Sequence, residues 1–241
     1  MAAEPGVAQL TGLDESHLVA VGDGQRLREE VAAAFTALRD DARRAGFELA
    51  MASGFRSYHR QLAIWNAKAT GARAVHDDAG RVLDLARLTP TRRLHAMLRF
   101  SAIPGTSRHH WGTDLDVYDA AALPTGYALQ LSPREVAAGG MFDPLHRWLD
   151  QRMAADRSHG FFRPYHRDCG GVAPERWHLS YAPLAVRYAA LLDRAMLIRC
   201  WDCAPAGASL QLRAQIEREL AQLMERYVAV PDGWCPSHGW A

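Results

Sequence analysis

Residues 105–119, GTSRHHWGTDLDVYD, contain two histidines and three aspartates in and beside a segment that alternates like a β-strand. Asp114 and Asp116 would point to the same face of that strand, because side chains alternate between its two faces. Imidazoles and carboxylates at this density indicate a metal site or a titrating pair. Either arrangement needs partners from elsewhere in the chain, so the fold has to bring a second polar segment to this strand.

Helices dominate the remaining sequence pattern. Apolar residues at helical spacing predict helices over 25–45, 57–71, 91–103, 144–160, 183–199 and 210–227. Alternation predicts strands over 47–53, 113–119 and 175–181. Residues 72–90 are typical of an exposed excursion, with a hairpin at an Asp-Ala-Gly turn. These elements predict an α+β fold in one domain, residues 1–241, whose few short strands carry the unusual residues.

The composition excludes several classes of protein. Lys and Arg (28) nearly equal Asp and Glu (27), so we expect no nucleic-acid partner. No apolar run reaches the roughly 18 residues that a transmembrane helix needs. The first residues, MAAEPGVAQLTGLDESHLVAV, show no basic leader with an apolar block, so the sequence as written predicts a cytoplasmic protein.

The cysteines form one short motif. Cys200 and Cys203 have the C-x-x-C spacing of zinc knuckles and dithiol redox centres, but no second pair accompanies them. We expect a structural or incidental role for this pair; a disulfide and a metal or redox role are the alternatives. The sequence does not assign a role to the tail VPDGWCPSHGW.

Two polar patterns, about sixty residues apart, together have the composition of a catalytic metal site. The pattern S-x-H-x-x-G-x-x-x-D occupies 107–116, and E-x-W-H occupies 175–178. They offer two imidazoles and one carboxylate as ligands, with one carboxylate to spare, which is the ligand count of a catalytic zinc with an open fourth position. If 175–181 were a regular strand, a bend would be needed for Glu175 and His178 to converge on one metal.

The same residues resemble a known family. SRHHWGTDLD followed by ERWH is similar to the signature of the VanY-type D-alanyl-D-alanine carboxypeptidases, which belong to the LAS metallopeptidases. SGFRSYHRQ, residues 53–61, resembles that family's upstream S-G-Y-R-S-x-x-x-Q segment. The resemblance implies a small antiparallel sheet that carries the zinc site and is flanked by helices, the LAS or hedgehog-like peptidase fold. It places the motif-bearing core at about 47–183 and a C-terminal helical extension at about 184–241.

The resemblance also implies roles for individual residues. One zinc ion would be bound by His109, Asp116 and His178. Glu175 would be the general base and later the proton donor, and Arg56 would place a positive charge at the scissile carbonyl. Ser107 and Gln61 would contact the substrate.

Two further residues, Asp114 and His110, lie beside the expected ligands. The family commonly has a small residue where this chain has Asp114, which either orients a ligand imidazole from behind or competes for the metal; motif register favours Asp116 as the ligand. His110 does not occupy the ligand position of the motif, and we expect it to pack in the interior or to support the site.

The chemistry that these residues suit is peptide hydrolysis. Bound zinc lowers the pKa of water from about 15.7 to about 7, and Glu175 would take the proton and pass it to the leaving amine. We therefore expect a zinc-dependent D,D- or L,D-carboxypeptidase that acts on peptidoglycan stem peptides or muropeptides, in the periplasm or outside the cell if it follows the family. An endopeptidase or dipeptidase of the same family, a non-catalytic zinc-bearing peptidoglycan-binding module and a thiol-based regulator are the alternatives; the oligomeric state is open.

Overall fold

The computed structural model describes residues 4–204, 209–231 and 234. Its helices are α1 (Val7–Leu10), α2 (Glu29–Arg44), α3 (Tyr58–Ala69), α4 (Pro90–Leu98), α5 (Pro133–Val136), α6 (Asp143–Ala154), α7 (Ala182–Leu191), α8 (Arg194–Cys203) and α9 (Arg213–Tyr227). Its strands are β1 (Val19–Ala20), β2 (Arg26–Leu27), β3 (Leu49–Ser53), β4 (Asp114–Asp119), β5 (Phe161–Phe162) and β6 (His178–Tyr181).

The main sheet is antiparallel and has the strand order β3-β4-β6-β5. Its central pair aligns Asp116 with His178 and Asp114 with Ser180. Because side chains alternate along a strand, these four polar residues share one face. The predicted α+β fold, a small antiparallel sheet flanked by helices, is confirmed.

The opposite face of the same strands supplies the hydrophobic core. Leu115, Val117 and Leu179 are completely buried and belong to one cluster with residues of the helices. Ile216 and Leu220 of α9 belong to this cluster as well. Each fully buried aliphatic side chain contributes about 1.5–3 kcal/mol, so the apolar face fixes the strands that hold the polar residues.

The second polar motif is not a continuous strand. The prediction of a strand over 175–181 is wrong for its first three residues, because β6 begins at His178. The His178 amide donates to the Glu175 carbonyl at 3.1 Å, which closes a turn over Glu175–His178. This turn supplies the bend that Glu175 and His178 need in order to approach the same point.

Helix boundaries differ from the prediction where a side chain or a strand competes with the helix. The single helix expected over 183–199 is two helices, because the Asp193 side chain accepts from the Met196 amide at 2.7 Å and starts α8. The helix expected from residue 25 begins at Glu29, since Arg26–Leu27 pair with Val19–Ala20 instead.

The segment over 72–90 and the cysteines can also be compared with the prediction. His76 and Val82 form the bridge of a hairpin inside 72–90, as expected. Cys169, Cys200 and Cys203 are free thiols, so the disulfide alternative for the C-x-x-C pair is wrong. Most of the tail over 230–240 lies outside the described residues. In the described part of the chain, no helix combines the length and the apolarity required to cross a membrane.

Candidate metal centre

Three residues from the two polar motifs meet on the sheet. One potential ligand atom from each of His109, Asp116 and His178 lies within 4.8 Å of the other two, and all three residues are buried. His109 Nε2 is 3.4 Å from Asp116 Oδ2, and His178 Nδ1 is 3.3 Å from Asp116 Oδ1. Residues that are sixty positions apart in the sequence thus present two imidazoles and a carboxylate to one point.

Both imidazoles are held from behind through their other ring nitrogen. His109 Nδ1 donates to the Gly54 carbonyl at 2.9 Å, and His178 Nε2 is 2.9 Å from Asp114 Oδ1. The remaining nitrogens, Nε2 of His109 and Nδ1 of His178, face Asp116. Such outer partners fix the tautomer and the orientation of metal-binding histidines, so the two rings are oriented as ligands require.

Asp114 lies behind His178 and is bonded on every side. It accepts from Arg108 Nε at 2.8 Å and from Thr113 Oγ1 at 2.6 Å, in addition to its contact with His178. Burial alone would raise the pKa of Asp114, but Arg108 and His178 hold it well below the usual range. This geometry matches the alternative in which Asp114 orients the ligand imidazole.

Asp116 is satisfied less completely than Asp114. Its Oδ1 atom is buried and accepts no hydrogen bond within the described residues. Its pKa lies well below the usual range despite complete burial, because His109 and His178 face it. A buried anionic oxygen without a donor is costly, and a divalent cation between the two imidazoles would satisfy it. The three residues therefore fit a metal ion with an open fourth position.

Glu175 stands beside this group without being part of it. Its Oε2 is 3.4 Å from His178 Nδ1, and its side chain is partly exposed in the cleft described below. The neighbouring Arg176 fixes the turn through Asp143 Oδ1 at 2.7 Å, Asp150 Oδ2 at 2.7 Å and the Val136 carbonyl at 2.6 Å. The carboxylate is thus close to the three candidate ligands on a firmly held turn.

Arg56 approaches the same point from the segment before α3. Its amide donates to the His109 carbonyl at 3.1 Å, and its Nη1 donates to Gln61 Oε1 at 3.1 Å. Burial lowers the pKa of Arg56, while the charges of Asp116 and Glu175 act in the opposite direction. A guanidinium stays charged under such conditions, so the site contains a fixed cation.

The two expected substrate contacts differ in position. Gln61 is fully buried behind Arg56, where its Nε2 donates to the Ala102 carbonyl at 2.7 Å. The structure therefore gives Gln61 contacts that orient Arg56 and does not place it on the cleft surface. Ser107 lines the cleft.

The turn that carries His109 is shaped by its neighbours. His110 is completely buried; its Nε2 accepts from the Gly105 amide at 3.1 Å and its Nδ1 donates to the Arg56 carbonyl at 2.6 Å. Burial lowers the pKa of His110 to about 3, so it is neutral. Gly112 has φ +69°, and a Cβ there would lie 2.4 Å from Leu18 Cδ2, so the turn requires glycine.

The candidate metal centre opens into a cleft of about 860 Å³. Trp177 lines this cleft, whereas Trp111 is buried against Tyr188 and does not.

Sequence reasoning missed two residues of the cleft wall. The Tyr165 ring meets the His178 ring edge-on at 5.1 Å, and burial raises the pKa of Tyr165 to about 12. Lys68 is buried on α3, next to Phe100. Neither residue belongs to a pattern with a fixed spacing, so nothing in the sequence distinguished them.

Comparison with known proteins gives a family and a fold. The family model VanY, described as D-alanyl-D-alanine carboxypeptidase, matches residues 24–184. An uncharacterized protein of Haemophilus influenzae is 43% identical over 98 residues, which are 39% of this chain and 67% of the relative.

Two solved structures extend the comparison. VanYB in complex with D-alanine-D-alanine has 22% identity and a TM-score of 0.50, covering 77% of this chain and 90% of that chain. A mutant of the vancomycin resistance D,D-pentapeptidase VanY, in complex with Zn(II), has 24% identity and a TM-score of 0.48, covering 72% of this chain and 84% of that chain. The likeness to VanYB agrees with the predicted LAS peptidase fold.

The family match covers more than half of the chain and includes all three motifs that carried the resemblance. The predicted family is therefore confirmed: this chain belongs to the VanY family of D-alanyl-D-alanine carboxypeptidases.

Proposed function

We propose that this protein is a zinc-dependent carboxypeptidase that removes the terminal D-amino acid from peptidoglycan stem peptides. The observation that carries the proposal is the meeting of His109, Asp116 and His178 at the cleft, with Glu175 beside them. Two imidazoles, one carboxylate and a neighbouring carboxylate that is free to act as a base are the donor set of a zinc peptidase.

Zinc held by these three residues would supply an activated water, since it lowers the pKa of water from about 15.7 to about 7. Glu175 would accept the proton of the attacking water at a carboxylate oxygen and would later donate it to the leaving amine. General acid–base groups of this kind contribute about 10²–10⁴-fold to the rate. The turn over Glu175–His178 keeps the base within reach of the reaction without making it a ligand.

Arg56 faces the oxyanion that develops when the scissile carbonyl is attacked. Its side chain is half-buried and bonded to Gln61, so the charge is already oriented before the substrate binds. Preorganised donors at an oxyanion are typically worth about 3–4 kcal/mol. Ser107 lines the same cleft, and its hydroxyl would donate to a substrate carboxylate.

Hydrolysis assays test the proposal. Purified protein is incubated with tetrapeptide and pentapeptide stems, with zinc present or with a chelator, and the released D-alanine is measured. Release that the chelator abolishes and zinc restores is expected, and the preferred stem separates D,D- from L,D-carboxypeptidase activity. Absence of cleavage, or cleavage that persists without metal, would contradict the proposal.

Glu175→Gln separates catalysis from binding. A peptidase variant keeps its metal and loses turnover, whereas a peptidoglycan-binding module would have no measurable turnover to lose. A blocked internal peptide distinguishes an endopeptidase, which cleaves it, from a carboxypeptidase, which requires the free terminus.

The substrate also depends on the compartment. A periplasmic or extracellular enzyme would meet stem peptides of the wall, and a cytoplasmic enzyme would meet released muropeptides. Cell fractionation with an antibody against the protein decides between these two sources.

A further inference from the structure

Lys68 is the only lysine of the chain, in which arginine supplies the other 27 of the 28 basic residues. It lies near the C-terminal end of α3, in the wall of the cleft that contains the candidate metal centre. Only 8% of its surface is exposed. Lysine is rarely buried to this extent without a partner, so the environment of this ammonium group indicates what it does.

The ammonium group is incompletely satisfied. Its Nζ donates to the Phe100 carbonyl at 3.1 Å, and a lysine ammonium has three donors. Among the described residues, no carboxylate lies within ion-pair distance of Lys68. The protein therefore keeps a buried cation in the cleft wall without a direct counterion.

Other cations surround the same part of the cleft. Arg73 lines it, is exposed, and forms no ion pair within the described residues. The pKa of Lys68 is lowered to about 8, first by burial and then by the charges of Arg73 and Arg56, while Glu175 acts in the opposite direction. These three cations repel one another, and an added anion would relieve that repulsion.

The acidic residues nearby are engaged with other partners. Asp77 and Asp78 also line the cleft, but Asp77 accepts from Arg81 Nε at 2.8 Å and Asp78 accepts from Arg99 Nε at 2.7 Å. Among the described residues, these two aspartates therefore leave Lys68 and Arg73 without a direct counterion, and a molecule that enters the cleft could supply one.

The position of Lys68 relates it to the peptide substrate. Lys68 binds the Phe100 carbonyl, while Gln61, which orients Arg56, binds the Ala102 carbonyl two residues further on. Lys68 and Arg56 line the same cleft, so a peptide that binds with its scissile carbonyl at Arg56 can extend towards Lys68.

We propose that Lys68 and Arg73 form a carboxylate-binding subsite of the cleft, which recognises a free carboxylate of the peptide close to the scissile bond. The inference rests on the proposed peptidase function and names a feature that its substrate must carry. The carboxylate is either the C-terminal one or one on a side chain. Both present the same chemistry to an ammonium and a guanidinium.

Four peptides distinguish the two sources. All have the form N-acetyl-Xaa-D-Ala-D-Ala, with Xaa either glutamate or glutamine and with a C-terminal carboxylate or amide. Hydrolysis is measured for the two peptides with a free C-terminus, and binding to the Glu175→Gln protein is measured for all four. Both are compared between the native Lys68, Lys68→Met, which keeps the apolar stem and removes the charge, and Lys68→Arg, which keeps the charge. Arg187→Met on α7, which is exposed and lies outside the cleft, is the matched control.

We expect Lys68→Met to lower kcat/KM at least tenfold, mainly through KM, on peptides that keep the recognised carboxylate. The loss of affinity caused by Lys68→Met should shrink to less than threefold when that carboxylate is an amide, and Lys68→Arg should retain the preference for the acid. Arg73→Met should show a smaller loss with the same dependence. An equal loss of affinity for all four peptides, or no loss of affinity for any, would overturn the subsite.

A binding measurement keeps the test independent of catalysis. Glu175→Gln protein grown on lysine labelled with ¹³C at the ε carbon gives one side-chain signal, because the chain has one lysine. The signal should shift when the acid peptide is added and stay in place with the matched amide; an unchanged signal with every peptide would contradict the subsite. If the wild type cleaved none of the peptides, the proposed function would fail, and this measurement alone would decide on the subsite.

Discussion

Two clusters of charged residues flank the turn over Glu175–His178, and they differ in charge balance. We call them the site cluster (Arg108, His109, Asp114, Asp116, His178) and the brace cluster (Asp143, His146, Asp150, Arg163, Arg176). The site cluster sets two carboxylates against one guanidinium and leaves a carboxylate oxygen without a donor. The brace cluster sets two carboxylates against two guanidinium groups, which are bonded to them directly, and the exposed Arg147 adds a third guanidinium that pairs with Asp143.

This difference shows how the same residue types serve two purposes. Buried charges that are matched within the protein hold elements together, here α6 and the turn before β6. A surplus of negative charge beside a cleft, with two imidazoles already oriented, suits a cation from outside. The predictions below test whether the two clusters separate in this way, from the largest expected effect to the smallest.

Asp116→Asn should have the largest effect, because it removes the surplus charge of the site cluster. Hydrolysis should fall by more than the roughly 10²–10⁴-fold that the loss of a general base costs. Hydrolysis of stem peptides at saturating zinc measures this loss of activity. Activity within tenfold of wild type would show that Asp116 is not a ligand.

Glu175→Gln should lower kcat by roughly 10²–10⁴-fold, since the amide cannot accept the proton of the attacking water. Zinc content should be unchanged, because the residue contacts His178 but stands outside the three ligands. Parallel assays of turnover and zinc check this. Simultaneous loss of zinc would place Glu175 in the ligand set and contradict its role as base.

Asp114→Asn tests the support of the site cluster. The variant should bind zinc about 10–100-fold more weakly, as expected when the residue behind a ligand histidine is changed. It should also unfold more easily, because Arg108 would lose its buried counterion, which typically costs about 3–5 kcal/mol. Asp119→Asn on the same strand is the control, since Asp119 accepts only from backbone amides. Equal behaviour of the two variants would contradict the role of Asp114.

Arg176→Met should weaken the brace cluster without loss of zinc from the candidate metal centre. Hydrogen bonds to charged groups contribute about 1.5–3 kcal/mol, and a loss of this size in the free energy of unfolding is expected. Turnover should decline modestly because Glu175 is less firmly held, while zinc content stays the same. Chemical denaturation measures the free energy of unfolding, and elemental analysis measures the zinc content. A loss of zinc would show that the two clusters do not act separately.

The brace cluster should also confer a pH dependence on stability. Burial, followed by the charges of Arg163 and Arg176, lowers the pKa of His146 to about 2. The folded protein then lacks a proton that the unfolded chain binds below about pH 6.5, so acidification from pH 6.5 favours unfolding. The expected contribution is about 1.4 kcal/mol per pH unit, with none above pH 7.

His146→Gln isolates that contribution. Urea unfolding of the variant and the wild type at pH 7.0 and 5.0 should show a shallower loss of stability in the variant. Identical pH dependence in both proteins would mean that His146 is not held neutral in the fold.

The sequence predicted the site better than the elements around it. Motif spacing and resemblance identified His109, Asp116 and His178, because ligand types and their register are local properties of the chain. Strand alternation also placed Asp114 and Asp116 on one face.

What the sequence missed depends on contacts between distant residues. The turn at Glu175 is held by Arg176 and by two aspartates of α6, which are 26 and 33 positions away. The resemblance implied a substrate contact for Gln61, yet the fold buries this side chain behind Arg56. The break before α8 depends on a single capping aspartate, which helical periodicity does not reveal.

The most direct test of the central claim is the zinc content of the protein after loading and exhaustive dialysis, measured by elemental analysis for the wild type and for Asp116→Asn. The account predicts one zinc per wild-type chain and almost none in the variant. A wild type without zinc, or a variant that retains as much as the wild type, would contradict it.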